Sequence, residues 1–163
     1  MRRACLALLL AAAVPADGDS LSWPRIDRIE VHKTEREMIF YSAGRQVGRI
    51  AGLQLGTQPI GAKHVQGDGR TPEGRYTIDY RNPGSAYHLA LHVSYPNPSD
   101  RAFALARGLD PGGAIFIHGQ PNDWPGPGRA PGDWTDGCIA VSNAEIEALW
   151  RAVPDGTEID ILP

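Results

Sequence analysis

Residues 114–141 read AIFIHGQPNDWPGPGRAPGDWTDGCIAV. Ala114 to Ile117 is a compact apolar run that predicts a strand ending at His118-Gly119. A loop dense in Gly and Pro fills 119–134. Thr135-Asp136-Gly137-Cys138 then predicts a tight turn into a second strand, Ile139-Ala140-Val141. The 20-residue separation gives the loop length enough to leave the sheet and bring Cys138 back beside His118, an expectation that separation alone does not establish.

Outward from this stretch the chain repeats the strand–turn pattern. Ile26 to Lys33 alternates apolar and polar residues, Glu35 to Ser42 reads as the returning strand of a hairpin, and Ala43-Gly44 turns the chain into a third strand around 47–55. Residues 56–75, rich in Gly and Pro, predict a structured loop because strands resume on both sides. Arg75 to Tyr80, His88 to Tyr95 and Thr157 to Leu162 complete the set. Two short helices are expected. One runs from a Ser99 cap to about Arg107, with Phe103, Ala104 and Leu105 near its apolar face. The other is capped by Ser142 or Asn143 and carries Ile146, Leu149, Trp150 and Val153. The expected fold is mostly β with two short helices, a sandwich or an open barrel.

The chain has 163 residues, 42% apolar and 21% charged, with 19 Gly and 14 Pro. That suits a single domain of turns and short strands. Residues 1–16 read as a secretory signal: Arg2 and Arg3 give a positive start, Cys5 to Val14 is apolar, and Val14-Pro15-Ala16 fits a cleavage site. The run is too short to span a bilayer as an ordinary helix, so the domain is taken as 17–163, with no stable membrane span after cleavage. Removing 1–16 leaves 14 basic and 19 acidic residues, a net charge of −5, and no basic run that fits nucleic acid. It also leaves Cys138 as the single cysteine. Exported proteins usually pair their cysteines, so a lone thiol in an oxidising compartment is either buried or useful.

A cysteine attacks a carbonyl as its thiolate and needs a base or a positive environment. His118, at a strand end beside a loop, is the candidate base. Backbone N–H groups in the Asp136-Gly137-Cys138 turn are candidates for an oxyanion hole. A third group must hold the imidazole in one tautomer, and the residues alone allow a side chain or a backbone carbonyl. An inert cysteine packed beside a core histidine is the competing reading of the same pattern.

Three stretches carry a family resemblance. Pro59-Ile60-Gly61-Ala62-Lys63 leads into Gly67-Asp68-Gly69-Arg70-Thr71-Pro72-Glu73-Gly74-Arg75-Tyr76. Ile117-His118-Gly119 and Thr135-Asp136-Gly137-Cys138-Ile139 follow in order. Together they resemble the L,D-transpeptidases with a YkuD-type catalytic domain, over roughly 26–162. The resemblance implies a β-rich enzyme that cross-links peptidoglycan stem peptides through a cysteine acyl-enzyme in the periplasm. It implies Cys138 as nucleophile, His118 as base, the Gly119 carbonyl as its orienting group, and Asp136, Gly137 and Cys138 as the oxyanion hole. It implies no metal or organic cofactor, and susceptibility to carbapenem-type inhibitors. A hydrolase on the same scaffold, a carboxypeptidase or an amidase releasing a wall-linked protein, is the alternative.

Two positions depart from the family pattern. Asp136 stands where many members have His, and Ala140 where many have Arg, which removes a bidentate partner for a substrate carboxylate. Arg70 and Arg129 are candidates to replace it, against a reading as solvated surface charges. Trp124 and Trp134 either wall the donor pocket or pack the loop down. His88 and His92, if both lie on one strand, stand about 13 Å apart, too far for a shared ion.

Overall fold

The computed structural model describes residues 21–163; the leader expected over 1–16, with its apolar run, lies outside the described residues. Strand formation follows the alternation. In β1 (Arg28–His32), Ile29 and Val31 are fully buried between half-exposed neighbours, and β8 (Thr157–Leu162) repeats the pattern with Ile159 and Ile161. The other strands are β2 (Glu37–Ser42), β3 (Arg45–Ala51), β4 (Gly74–Asn82), β5 (Ala90–Val93), β6 (Ile115–His118) and β7 (Ile139–Ala140). They form one eight-stranded sheet in the order β3-β2-β1-β8-β4-β5-β6-β7. Neighbours are antiparallel except β1 with β8 and β6 with β7.

The sheet curls without β3 pairing to β7, and the segment after β3 reaches across to the β7 edge. The expected third strand stops at Ala51 because Gly52, at φ 71°, turns the chain. Residues 53–57 then run along the far edge, bridging Gln54 to Ala140 and Gly56 to Thr135. Four backbone hydrogen bonds lace this edge: Gln54 to Ala140 at 3.1 Å and back at 2.8 Å, Thr135 to Leu55 at 3.2 Å, and Thr57 to Thr135 at 3.0 Å. The result is an open barrel and not a two-sheet sandwich. Phe40, Ile78, Leu91, Ile117, Ile139 and Ile159 fill its interior.

Helix α2 (Asn143–Ala152) caps as expected, on Ser142 with a reciprocal bond from Glu145, and buries Ile146 and Leu149. Helix α1 (Pro98–Leu105) differs. Its cap is Asn97, whose side chain accepts from the N–H groups of Ser99 and Asp100 while Asp100 accepts from Asn97. Pro98 fits the first helical position, where no N–H is needed. The earlier start turns Ala104 inward, leaves Leu105 81% exposed, and stacks Phe103 on His64 at 4.3 Å.

The two long loops are held by buried polar groups. In residues 56–73, the Asp68 carboxylate accepts from the Lys63 ammonium at 2.9 Å and from the N–H groups of His64, Val65 and Arg70 at 2.8–3.1 Å. Lys33, beyond the end of β1, donates to the carbonyls of Gly61 and Thr71 and to Glu73 at 2.7–3.0 Å. In residues 119–134, Gln54 donates to the carbonyls of Ala130 and Gly132, and Gln120 bridges Gln54 to Val141. Arg36 grips Asp133 through both terminal guanidinium nitrogens, at 2.5 and 2.8 Å.

Partial burial would raise the Asp68 pKa, but its four donors outweigh it and hold the carboxyl at about 2, against an ordinary 3.8. A depressed folded-state pKa gives stability that is present above 3.8 and lost as the pH falls toward 2. Asp68→Asn is therefore expected to cost about 1–3 kcal/mol at neutral pH, and the gap from wild type should shrink as both proteins approach pH 2. Urea unfolding at a series of pH values measures this, and a gap independent of pH would refute the assignment.

Candidate active site

Cys138 and His118 reach one cleft from opposite sides of the 119–137 crossover. The parallel pairing of β6 with β7 sets Ile117 beside Ile139 and His118 beside Ala140, two residues beyond the level of Cys138. A cleft of about 760 Å³ is lined by both residues together with Lys63, Asp110, Trp134 and Asp136. A second lobe of about 270 Å³, lined by Asn82, Ser85, Ala86, Ala90 and Phe116, also reaches His118 and Cys138. Tyr87 and Ala114 line both lobes.

His118 is 2% exposed. Its Nδ1 lies 2.7 Å from the Gly119 carbonyl. A carbonyl oxygen only accepts, so Nδ1 carries the proton and Nε2 keeps its lone pair. Gly119 is required for this contact: a Cβ there would come within 2.5 Å of Asn143 Oδ1 and 3.1 Å of Ile146. Tyr87 stacks on the imidazole at 4.5 Å, and Trp134 tilts against it at 5.6 Å. Burial lowers the His118 pKa below 6.5, and the Gly119 hydrogen bond opposes this only in part.

Cys138 is half-buried and unpaired. Its Sγ lies 3.6 Å from the Ala114 carbonyl, and no hydrogen bond joins it to His118 among the described residues. Burial pushes the thiol pKa up to about 11; the Phe116 N–H and Lys63 work against that, and Asp136 adds to it. The resting pair is therefore a neutral thiol and a neutral imidazole. The turn is clipped by Thr135, whose hydroxyl donates to the Cys138 carbonyl at 2.8 Å and accepts from Gly137 N–H at 3.2 Å. Gly137 sits at φ 133°, and a Cβ there would stand 2.5 Å from the Arg70 carbonyl. The N–H groups of Asp136 and Cys138 donate to nothing among the described residues, whereas that of Gly137 is engaged.

The other candidates separate. Trp134 walls the cleft, while Trp124 packs over Gly126 and lines a different hollow. Arg129 is taken up elsewhere: it donates to the carbonyls of Ala51 and Gly52 at 2.8 and 2.6 Å and pairs with Glu145 at 2.5 Å. Arg70 brings its carbonyl against Gly137 and its guanidinium toward Gly61, away from the cleft lining. Ala140 is wholly buried and presents nothing to substrate. His88 lies before β5 at φ 68° and contacts Glu147 at 2.7 Å, while His92 contacts Asp79 at 2.5 Å, so each histidine has its own carboxylate. Tyr87, Lys63 and Asp110 join the cleft without a marker of their own in the sequence: Lys63 ends the Pro59–Lys63 stretch, and Tyr87 carries no local signal and meets His118 only through the sheet.

A family model described as YkuD, the L,D-transpeptidase catalytic domain, matches residues 26–161. The Escherichia coli K12 protein named as the L,D-transpeptidase YafK is 27% identical over 130 residues, covering 77% of this chain and 46% of its own. The crystal structure of the helical cell shape determining protein Pgp2 from Campylobacter jejuni superposes with a TM-score of 0.65 at 29% identity, over 88% of this chain and 51% of that one. Bd1075 from Bdellovibrio bacteriovorus gives 0.58 at 25% identity, over 86% and 48%. The chain spans about half the length of these relatives. With the open barrel, the three motifs and a model match across nearly all of the described residues, this chain belongs to the YkuD family of L,D-transpeptidase catalytic domains.

Proposed function

We propose that this protein is an exported cysteine acyltransferase that cross-links peptidoglycan stem peptides, with Cys138 as nucleophile and His118 as general base. The observation that carries the reading is the hydrogen bond from His118 Nδ1 to the Gly119 carbonyl. It commits Nε2 as proton acceptor in the cleft that also holds the Cys138 thiol. Export rests on Arg2, Arg3 and the apolar run from Cys5 to Val14.

Sγ adds to the donor peptide carbonyl as its proton passes to Nε2. The oxyanion accepts from the N–H groups of Cys138 and Asp136, with Gly137 joining if it leaves the Thr135 hydroxyl. The C–N bond breaks, the imidazolium protonates the departing amine, and a thioester remains on Cys138. An acceptor amine then attacks the thioester, its proton passing to His118; the C–S bond breaks as the new amide forms, and the imidazolium returns that proton to Sγ. Substrate binding matters to the first step. A thiol with a pKa near 11 does not ionise on its own at neutral pH, so proton transfer accompanies attack. The two lobes meeting at Cys138 offer room for donor and acceptor on either side of the sulfur.

Mass spectrometry of intact protein after carbapenem treatment should show one adduct in wild type and none in Cys138→Ala. His118→Ala should slow acylation by about 10²–10⁴-fold; a loss of only a few-fold would remove the general-base role. In wild type the acylation rate should rise with pH through a value below 6.5, where His118 becomes neutral, and this limb should vanish in His118→Ala. Incubation with disaccharide-peptide fragments should yield cross-linked dimers. Shortened monomers without dimers would mean that water takes the acyl group, making the protein a carboxypeptidase or amidase.

A further inference from the structure

The sheet register lays out a side-chain row that the proposed acyl transfer does not use. His92 on β5 pairs with Tyr80 on β4 and with Phe116 on β6. Phe116 lies one step before the Ile117–Ile139 pair and two before the His118–Ala140 pair, level with Cys138. Side chains alternate faces along a strand. Leu91, Val93, Ile115 and Ile117 are buried inward, so Tyr80, His92 and Phe116 share the outer face with His118. At the usual strand spacing the row extends roughly 14 Å from Cys138 to Tyr80.

The row is aromatic and partly open. Tyr80 stacks on His92 at 4.3 Å and 20°, and Phe116 meets both rings edge-on, at 5.9 and 4.9 Å. Tyr80 is 46% exposed. The His92–Asp79 pair borders the row, and Asn82 and Ser85 line the lobe that Phe116 shares with Cys138. Strands β4, β5 and β6 are paired on both sides, so an extended peptide finds no free ladder edge here. The chemistry suits a ring with apolar faces and a hydroxylated rim. A pyranose fits: its axial C–H groups lie on aromatic faces, and its equatorial hydroxyl and acetamido groups meet polar side chains.

We infer that Tyr80, His92 and Phe116 form a saccharide subsite continuous with the Cys138 cleft, binding an amino sugar of the glycan strand that carries the stem peptide. The choice of an amino sugar rests on the peptidoglycan reading; the aromatic row does not. Titrating tri-N-acetylchitotriose into the wild-type protein should give saturable NMR shifts at Tyr80, His92 and Phe116. Tyr80→Ala should weaken binding about tenfold, while Tyr80→Phe, which keeps the ring, should stay within about threefold. Absent or Tyr80-insensitive shifts would overturn the subsite. So would equal shifts from a sugar-free stem tripeptide, or shifts that follow protein concentration alone. No bond is made in this measurement, so a protein that fails to transfer acyl groups but binds the sugar loses only the proposed activity. One that cross-links peptides without binding the sugar loses only the subsite.

Discussion

The edge contact between residues 53–57 and the strand after Cys138 is what the rest of the architecture depends on. Gln54 exchanges two backbone hydrogen bonds with Ala140, and Thr135 is held between Leu55 and Thr57. These bonds tie residues 53–57 to the β7 edge and fix both ends of the Thr135–Ala140 segment. The Gln54 side chain extends the same contact into the 119–134 loop through Ala130, Gly132 and Gln120. One short edge segment thus sets the barrel, the loop and the position of Cys138. A crossover without a helix of its own needs such support, because parallel strands β6 and β7 cannot be joined by a tight turn.

Within that frame, burial decides the electrostatics of the site. It pushes Cys138 toward the neutral thiol and His118 toward the neutral imidazole. A buried thiolate–imidazolium pair would have to overcome the desolvation of both charges. A neutral pair escapes that cost at rest, and the proposed acyl transfer shifts charge only as the thiol meets a carbonyl. Asp136, exposed at the rim, adds to the bias against thiolate. Lys63, which acts against that bias, is paired with Asp68 at 2.9 Å.

The departure at Ala140 also acquires a physical setting. The position faces the polar network around Gln54 and Gln120, beneath the loop, and is fully buried. An arginine there would need that space. In this chain the cleft wall near His118 is formed instead by Tyr87 and Trp134, which are neutral. The cleft thus presents aromatic surface near His118 rather than a guanidinium, and the outer row through Phe116 continues that character away from Cys138.

What local pattern encodes, the sequence alone determined. Alternation at Ile29 and Val31, the Ser142 cap, the His118-Gly119 strand end and the turn before Cys138 are all legible because strand period, capping and turn chemistry act over a few residues. The same locality explains the miss at α1: Ser99 and Asn97 are both good caps, and the choice depended on Pro98 and Asp100 acting together. Choosing an open barrel over a sandwich required knowing where residues 53–57 land, contacts spanning 79 (Gly56–Thr135) and 86 (Gln54–Ala140) residues of chain. Tertiary structure likewise sent Arg129 to Glu145, Trp124 to its own loop and Trp134 to the cleft, and stacked Tyr87 on His118. Such pairings arise when the sheet curls and desolvates particular groups together, and no spacing along the chain records them.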